Sequence, residues 1–317
     1  MSQLPFVSVV IAAHNAEAFI VGAIDSALAQ GGVELELLIV DDASNDTTQS
    51  VLLELSQKDD RIIPIFSPVN VGPAGVRNLA LDRARGDWIA ILDSDDSLEP
   101  DRLAEMIRAA VEAEADIVID DFVSVDPDGK ILDGDCLADR RAAGILGLDD
   151  WVALNSFERS ELSFGYAKPI ISREFLARTG LRYNETLRNG EDFHLILEAL
   201  VAGATLYFTG NPGYRYTRRA GSVSRRAQDD HMRALLTADD AVAARLDPKA
   251  QSVACALLRK RRENLMRLIV TEDVMGKLKS RQPLSAISSL VRHPGATGRV
   301  LGHLGEAVRK RIRGAED

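Results

Sequence analysis

The chain has 317 residues, with 38 Lys and Arg against 48 Asp and Glu and a formal charge of -10 at neutral pH. That length can bury a substantial core, and the acidic balance argues against a general nucleic-acid binder, which needs a basic footprint. Cys136 and Cys255 stand alone and match no metal-ligand spacing, so a reduced, cytosolic setting is expected.

The first third alternates short apolar runs with helical patterns. Phe6 to Ala13 reads as a strand, and given its quick interruption by His14, Asn15 and Glu17 no secretory signal is expected. Helical periodicity follows over Ala16 to Gln30, a strand over Leu35 to Asp41, a helix over Thr47 to Gln57 and a strand over Arg61 to Ser67. A further helix spans Ala74 to Arg85 and a strand spans Trp88 to Leu92; Gly31-Gly32 and Gly86 punctuate helix endings. Such alternation predicts parallel βαβ units, whose ligands bind beyond the carboxyl ends of the strands. His14-Asn15, Asp41-Asp42 and Asp93 to Asp96 all fall at such ends.

The last of these clusters runs an apolar strand directly into three carboxylates. That arrangement is repulsive unless a positive charge sits there, and a divalent cation carrying a diphosphate supplies one. Beyond Pro100 the pattern predicts a helix to about Ala113, a strand over Ile117 to Val123, and an Asp- and Gly-rich stretch over Asp126 to Asp150, opened by the turn Asp126-Pro127-Asp128-Gly129. Leu206 to Thr209 returns to the sheet, and from about Asp229 the pattern is helical. No segment is long and apolar enough to span a bilayer, so the expectation is a soluble cytoplasmic protein or a peripheral one on the inner face of the cytoplasmic membrane.

Five ordered blocks carry a resemblance. Val7-Ser8-Val9-Val10-Ile11-Ala12-Ala13-His14-Asn15, Val40-Asp41-Asp42-Ala43-Ser44-Asn45-Asp46, Gly75-Val76-Arg77-Asn78, Asp93-Ser94-Asp95-Asp96 and Gly190-Glu191-Asp192 together resemble the inverting nucleotide-sugar glycosyltransferases of family 2. Gly165-Tyr166-Ala167-Lys168-Pro169, Tyr214-Arg215-Tyr216 and Ser222-Val223-Ser224 look most like bacterial exopolysaccharide enzymes of the succinoglycan type. The resemblance implies the GT-A fold, a Rossmann-like α/β architecture with a mostly parallel central sheet flanked by helices. It divides the chain into a catalytic domain over 1–225, with a nucleotide-sugar half over 1–125 and an acceptor half over 126–225, and a helical extension over 226–317.

By the same resemblance, Ala12, Asn15 and Asp42 line the base and ribose pocket, and Asp42 accepts from the uracil ring nitrogen. The alternative for Asp42 is a turn into the next helix, a job better suited to Asp46. Arg77 holds the base or the diphosphate. Asp93 supports or contacts the donor sugar, Asp95 touches ribose or sugar and shares the metal site, and Asp96 ligates Mn2+ or Mg2+. Helix capping by Asp96 or Ser97 competes with this, but capping uses one such side chain, not three. Asp192 becomes the general base and Glu191 positions the acceptor or that base, although acids in a first helical turn are also favoured by the macrodipole alone.

The chain departs from the family pattern at His14, which replaces an aromatic, and at Ala43, which replaces a frequent Gly. A late histidine of some relatives is missing, leaving Arg215, Arg218 and Arg219 either to reach the diphosphate or to form a solvated basic loop. Lys168 is read as structural, with acceptor contact as the alternative. The Gln-x-x-Arg-Trp signature of processive synthases is absent, so single-sugar transfer from a nucleotide-sugar, a UDP-sugar first, to a saccharide acceptor, a lipid-linked one first, is expected. The rivals are a nucleotidyltransferase, which lacks its Gly-rich phosphate loop here, and a silent nucleotide-sugar-binding module. At the chain end Leu301, Leu304, Val308 and Ile312 share a helical face beside Arg299, Arg309, Lys310, Arg311 and Arg313, suited to an anionic membrane surface or to packing on neighbouring helices.

Overall fold

A computed structural model describes residues 4–132, 134, 136–158, 163–219 and 229–313, with side chains at all of these except 229 and 306–313. Ser222-Val223-Ser224 lie outside the described residues. The chain divides into two units, one of 1–155 and 160–223, the other of 156–159 and 224–317.

The first unit opens with β1 (Phe6–Ala13), α1 (Ile20–Leu28), β2 (Glu34–Asp42), α2 (Thr48–Ser56), β3 (Ile62–Ser67), α3 (Gly72–Leu81) and β4 (Trp88–Asp93). β1 pairs in parallel with β2 and β4, and β2 with β3. Val7, Val9, Val10 and Ile11 are fully buried, which is why this strand reads as a continuous apolar run rather than an alternating one. Two helices are shorter than their periodicity predicts. α1 begins at Ile20 instead of Ala16, because the N–H groups of Ala16 and Glu17 are taken by Thr48 Oγ1 and Asp46 Oδ2. α3 ends at Leu81, and Arg85 instead forks onto the buried Glu36 of β2, at 2.8 and 2.6 Å.

The chain continues through β5 (Ser97–Leu98), α4 (Arg102–Glu112), β6 (Ile117–Val125), β7 (Gly144–Leu146), α5 (Leu148–Leu154), β8 (Ile170–Ser172), α6 (Arg173–Thr179), α7 (Glu191–Val201) and β9 (Leu206–Thr217). The strand order is β3-β2-β1-β4-β8-β6-β9-β5, with β7 on β9. The short β8 sits antiparallel between β4 and β6, so chain from beyond residue 126 enters the middle of the sheet. Ser97 belongs to β5, and α4 starts only at Arg102 with Asp101 before it, so neither Asp96 nor Ser97 caps that helix.

The second unit contains α8 (Asp229–Ala243), α9 (Ser252–Lys279), α10 (Pro283–Arg292) and α11 (Thr297–Arg313). Val270, Val274, Ala286, Ala296 and Val300 form its apolar core near the chain end, with Leu278, Leu290 and Leu304 packed against it. Leu304 is therefore used in folding, while Leu301 is 63% exposed; the side chains of Val308, Arg309, Lys310, Arg311, Ile312 and Arg313 lie outside the described ones. Among the described residues no helix is long and apolar enough to cross a membrane.

Candidate active site

Strand pairing brings the predicted clusters to one sheet edge. Ala12 of β1 lies opposite Val40 and Asp93, and Ala13 lies opposite Asp41. The exits of β1, β2 and β4 are therefore neighbours, as ligand binding beyond the carboxyl ends of parallel strands requires.

At the β2 exit, Asp42 is buried and its two carboxylate oxygens accept the N–H groups of Val71 and Gly72 at 2.7 and 2.8 Å. It thus anchors the turn into α3. Each oxygen keeps a second lone pair, so this anchoring leaves acceptor capacity. Asn15 is exposed and left-handed at φ 49, with its carboxamide oxygen accepting from Asn45 N at 3.0 Å. Ala43 is left-handed too, at φ 54, and this explains why glycine suits the position: a Cβ there costs about 1–2 kcal/mol. Asp46 accepts the N–H of Thr48, the first residue of α2, at 3.0 Å, the helix-start role expected of it. His14 Nδ1 lies 2.8 Å from the Asp42 carbonyl.

The two acid groups that are far apart in sequence meet in space. Arg77, fully buried on α3, reaches Asp93 at 2.7 Å through Nη2, and Glu191 at 2.5 Å and Asp192 at 3.2 Å through Nη1. Lys168 Nζ bridges Asp93 and Asp192 at 2.8 and 2.7 Å. Two cations therefore hold three carboxylates in one cluster. Burial raises the Asp93 carboxyl, but Lys168 and Arg77 overcome that and bring its pKa down to about 2. Burial also works against the charge of Lys168, and Asp192 and Asp93 more than offset it, raising its pKa. Both terminal nitrogens of Arg77 thus bond carboxylates. Lys168 lies between Asp93 and Asp192 and ties the two together.

Sequence reasoning missed Tyr183, Arg102 and Arg188 and gave Asn78, although part of a quoted block, no role. Tyr183 donates its hydroxyl to Asp192 at 3.1 Å, beneath an Arg77 guanidinium 5.4 Å from its ring centre. Asn78 clamps the Tyr183 backbone in both directions, at 3.0 and 2.9 Å. Arg102 forks onto Asp120, donates to the Lys168 carbonyl at 2.7 Å and lies over the Tyr214 ring. Arg188 Nη1 donates to Asn70 at 2.7 Å and its guanidinium fills the space beside Gly72, whose φ is +82. No local pattern signals Tyr183, Arg102 or Arg188, because their contacts, 9 to 118 residues along the chain, follow no helix or strand period.

The remaining acids of the β4 exit differ. Asp95 accepts from Arg219 Nε at 2.6 Å, and that guanidinium also lies 4.8 Å from the Phe19 ring centre. Asp96 accepts from Tyr214 Oη and from Thr217 N, both at 2.7 Å. Burial, with Asp93 and Asp95 nearby, pushes the Asp96 carboxyl well above the usual range despite these two donors. Among the described residues no three His, Cys, Asp or Glu side chains converge as a metal cage. The adjacent carboxylates of Asp95 and Asp96 nevertheless fit a hard cation that takes one or two protein carboxylates and completes its shell with phosphate and water. Of the distal arginines, Arg219 reaches this exit, Arg215 pairs with Glu99 at 2.6 Å and Arg218 bonds Ser124 at 2.9 Å.

Comparison with known proteins identifies the family and the fold. The model of glycosyl transferase family 2 matches residues 8–134. The succinoglycan biosynthesis protein ExoO of Rhizobium meliloti is 39% identical over 315 residues, covering 99% of this chain and 88% of that protein. A UDP-Glc:alpha-D-GlcNAc-diphosphoundecaprenol beta-1,3-glucosyltransferase, WfaP of Escherichia coli, is 39% identical over 105 residues, 33% of this chain and 41% of that one. TarS from S. aureus in complex with UDP superposes with TM-score 0.60 at 19% identity, over 80% of this chain and 70% of that one. The mannosyltransferase PcManGT from Pyrobaculum calidifontis, in complex with GDP-Man and Mn2+, does so with TM-score 0.57 at 17% identity, over 97% and 81%. The chain belongs to glycosyl transferase family 2 and is a glycosyltransferase with the GT-A fold.

Proposed function

We propose that the chain transfers a single sugar from a nucleotide-sugar, a UDP-sugar first among candidates, to a hydroxyl of a saccharide acceptor during exopolysaccharide synthesis, with inversion at the anomeric carbon. The observation that carries this reading is the bridging of Asp93 and Asp192 by the same two cations, Arg77 and Lys168. The shared cations keep the two carboxylates close together, as is needed for a donor sugar and an acceptor hydroxyl to meet at one anomeric carbon. Succinoglycan synthesis in the ExoO relative and a diphosphoundecaprenol-linked acceptor in WfaP support a surface-glycan role and a lipid-linked acceptor.

In this reading Ala12, Asn15 and Asp42 border the base and ribose, with Arg188 closing the same edge over Gly72. Asp93 and Asp95 face the ribose and donor sugar. Asp96 and Asp95 hold the divalent cation, Mn2+ or Mg2+, which when bound stabilises negative charge on the departing diphosphate. The PcManGT complex with Mn2+ supports such an ion. Asp192 takes the proton from the acceptor hydroxyl as oxygen attacks from the face opposite the nucleotide. Glu191, tied to Arg77, fixes the guanidinium that orients Asp192. Lys168 and Tyr183 hold the remaining direction of that carboxylate.

The test is a panel of UDP-sugars with Mn2+, scored by UDP release, followed by NMR of the linkage formed on a lipid-linked oligosaccharide. The expected product has inverted configuration. A retained anomeric configuration contradicts the assignment of Asp192, and UDP binding without turnover on any donor supports a silent binding module instead.

A further inference from the structure

We propose that α10 is a docking face for an anionic lipid bilayer. Leu284, Ile287 and Val291 are 81, 56 and 75% exposed and recur at the i, i+3, i+7 spacing that aligns side chains on one side of a helix. The opposite side is already used: Ala286 is buried in the core of the helical unit and Leu290 packs against it. A helix on a soluble surface needs one apolar stripe to fold, and α10 has two. Isolated exposed aliphatics are ordinary, whereas an aligned row marks an interaction surface.

Charge selects the occupant. Between Lys277 and Arg313 the sequence places nine Lys and Arg against the single acid Glu306, in a chain whose net charge is -10. Lys279, Arg281 and Arg292 are exposed, and neither they nor Arg299 has an acidic partner among the described residues. An apolar row flanked by unpaired cations matches the boundary between acyl chains and anionic headgroups. A second copy of this chain is disfavoured, because an isologous contact sets one basic segment against another. The acidic remainder of the chain is repelled by the same headgroups, which favours contact through this segment. The face belongs to α10 rather than to the α11 stripe read from the sequence, since Leu304 of that stripe is turned into the core.

The experiment is co-sedimentation of the full-length protein with phosphatidylcholine vesicles, with and without phosphatidylglycerol, at low and high salt. Binding is expected only with the anionic lipid and fades with salt. A Leu284→Ser/Ile287→Ser/Val291→Ser variant should lose binding about tenfold or more, as insertion scales with buried apolar area. Arg281→Gln and Arg292→Gln should each weaken it about fivefold. Circular dichroism and UDP binding check that each variant is folded, and Ile287→Ser alone replaces the triple variant if that one is not. Absence of binding to anionic vesicles, or binding indifferent to the apolar substitutions, overturns the proposal. So does a wild-type oligomer in light scattering that the triple variant dissociates, because the face then joins two copies.

Discussion

Asp93 and Asp96 are three residues apart, yet one lies in a neutralised environment and the other in an acidic one. Asp93 shares Arg77 and Lys168 with Asp192, while no Lys or Arg contacts Asp96 among the described residues and Asp95 has Arg219 alone. The first pair is organised by the protein itself, at the cost of burying two cations with their partners. On the proposed function, the second is the one that meets charge arriving with the substrate. On that proposal a single Asp-rich run contains both a pre-built part of the site and a part completed on binding.

The largest effect follows from removing the internal cation. Arg77→Ala removes the cation that Glu191 bonds and leaves Asp93 and Asp192 with Lys168 as their cation, and breaking such a buried pair costs about 3–5 kcal/mol. Urea unfolding should read that loss, and Arg77→Lys should recover part of it, since it keeps the charge without the fork. At the other end, Asp96→Asn should leave stability nearly unchanged and lower Mn2+-stimulated UDP release by roughly two orders of magnitude, because cation stabilisation of the leaving group is worth several kcal/mol. If both substitutions unfold the protein equally, the two regions are not different in kind.

A smaller effect is expected at Gly72. Its φ of +82 and the Arg188 guanidinium beside it should make Gly72→Ala cost about 1–2 kcal/mol, with weaker UDP binding by calorimetry. Arg188→Ala should weaken UDP binding without that loss of stability. Smallest is an acid effect remote from the site. Burial raises the Glu36 carboxyl, but bonds from the Ser8 hydroxyl and from the Arg85 backbone and guanidinium leave it below its ordinary value. Its folded pKa lies under its unfolded one, so its contribution is complete above the ordinary glutamate range and disappears as pH falls through the lowered value. Melting temperatures measured across that range should fall less steeply for Glu36→Gln.

The parallel half of the fold is legible because its strands are buried on both faces: Phe6–Ala13, broken only by Ser8, and Trp88–Leu92 stand out as apolar runs. β8 is not, since Ile170–Ser172 is three residues whose strand character comes only from pairing with β4 and β6. β9 was read as four residues and runs to Thr217, across Gly-Asn-Pro-Gly, through register shifts against β6 that no propensity reports. The acids of the site were visible as motifs. Their ordering was not, because Arg77, Lys168 and Tyr183 find partners as many as 115 positions away.

The most direct measurement compares UDP binding and donor turnover in Asp192→Asn. Proton removal by a positioned base is worth about 10^2 to 10^4 in rate, so turnover should fall by that factor while the dissociation constant for UDP stays near the wild-type value. Unchanged turnover in a folded, UDP-binding variant would contradict the proposal that Asp192 faces the incoming alcohol.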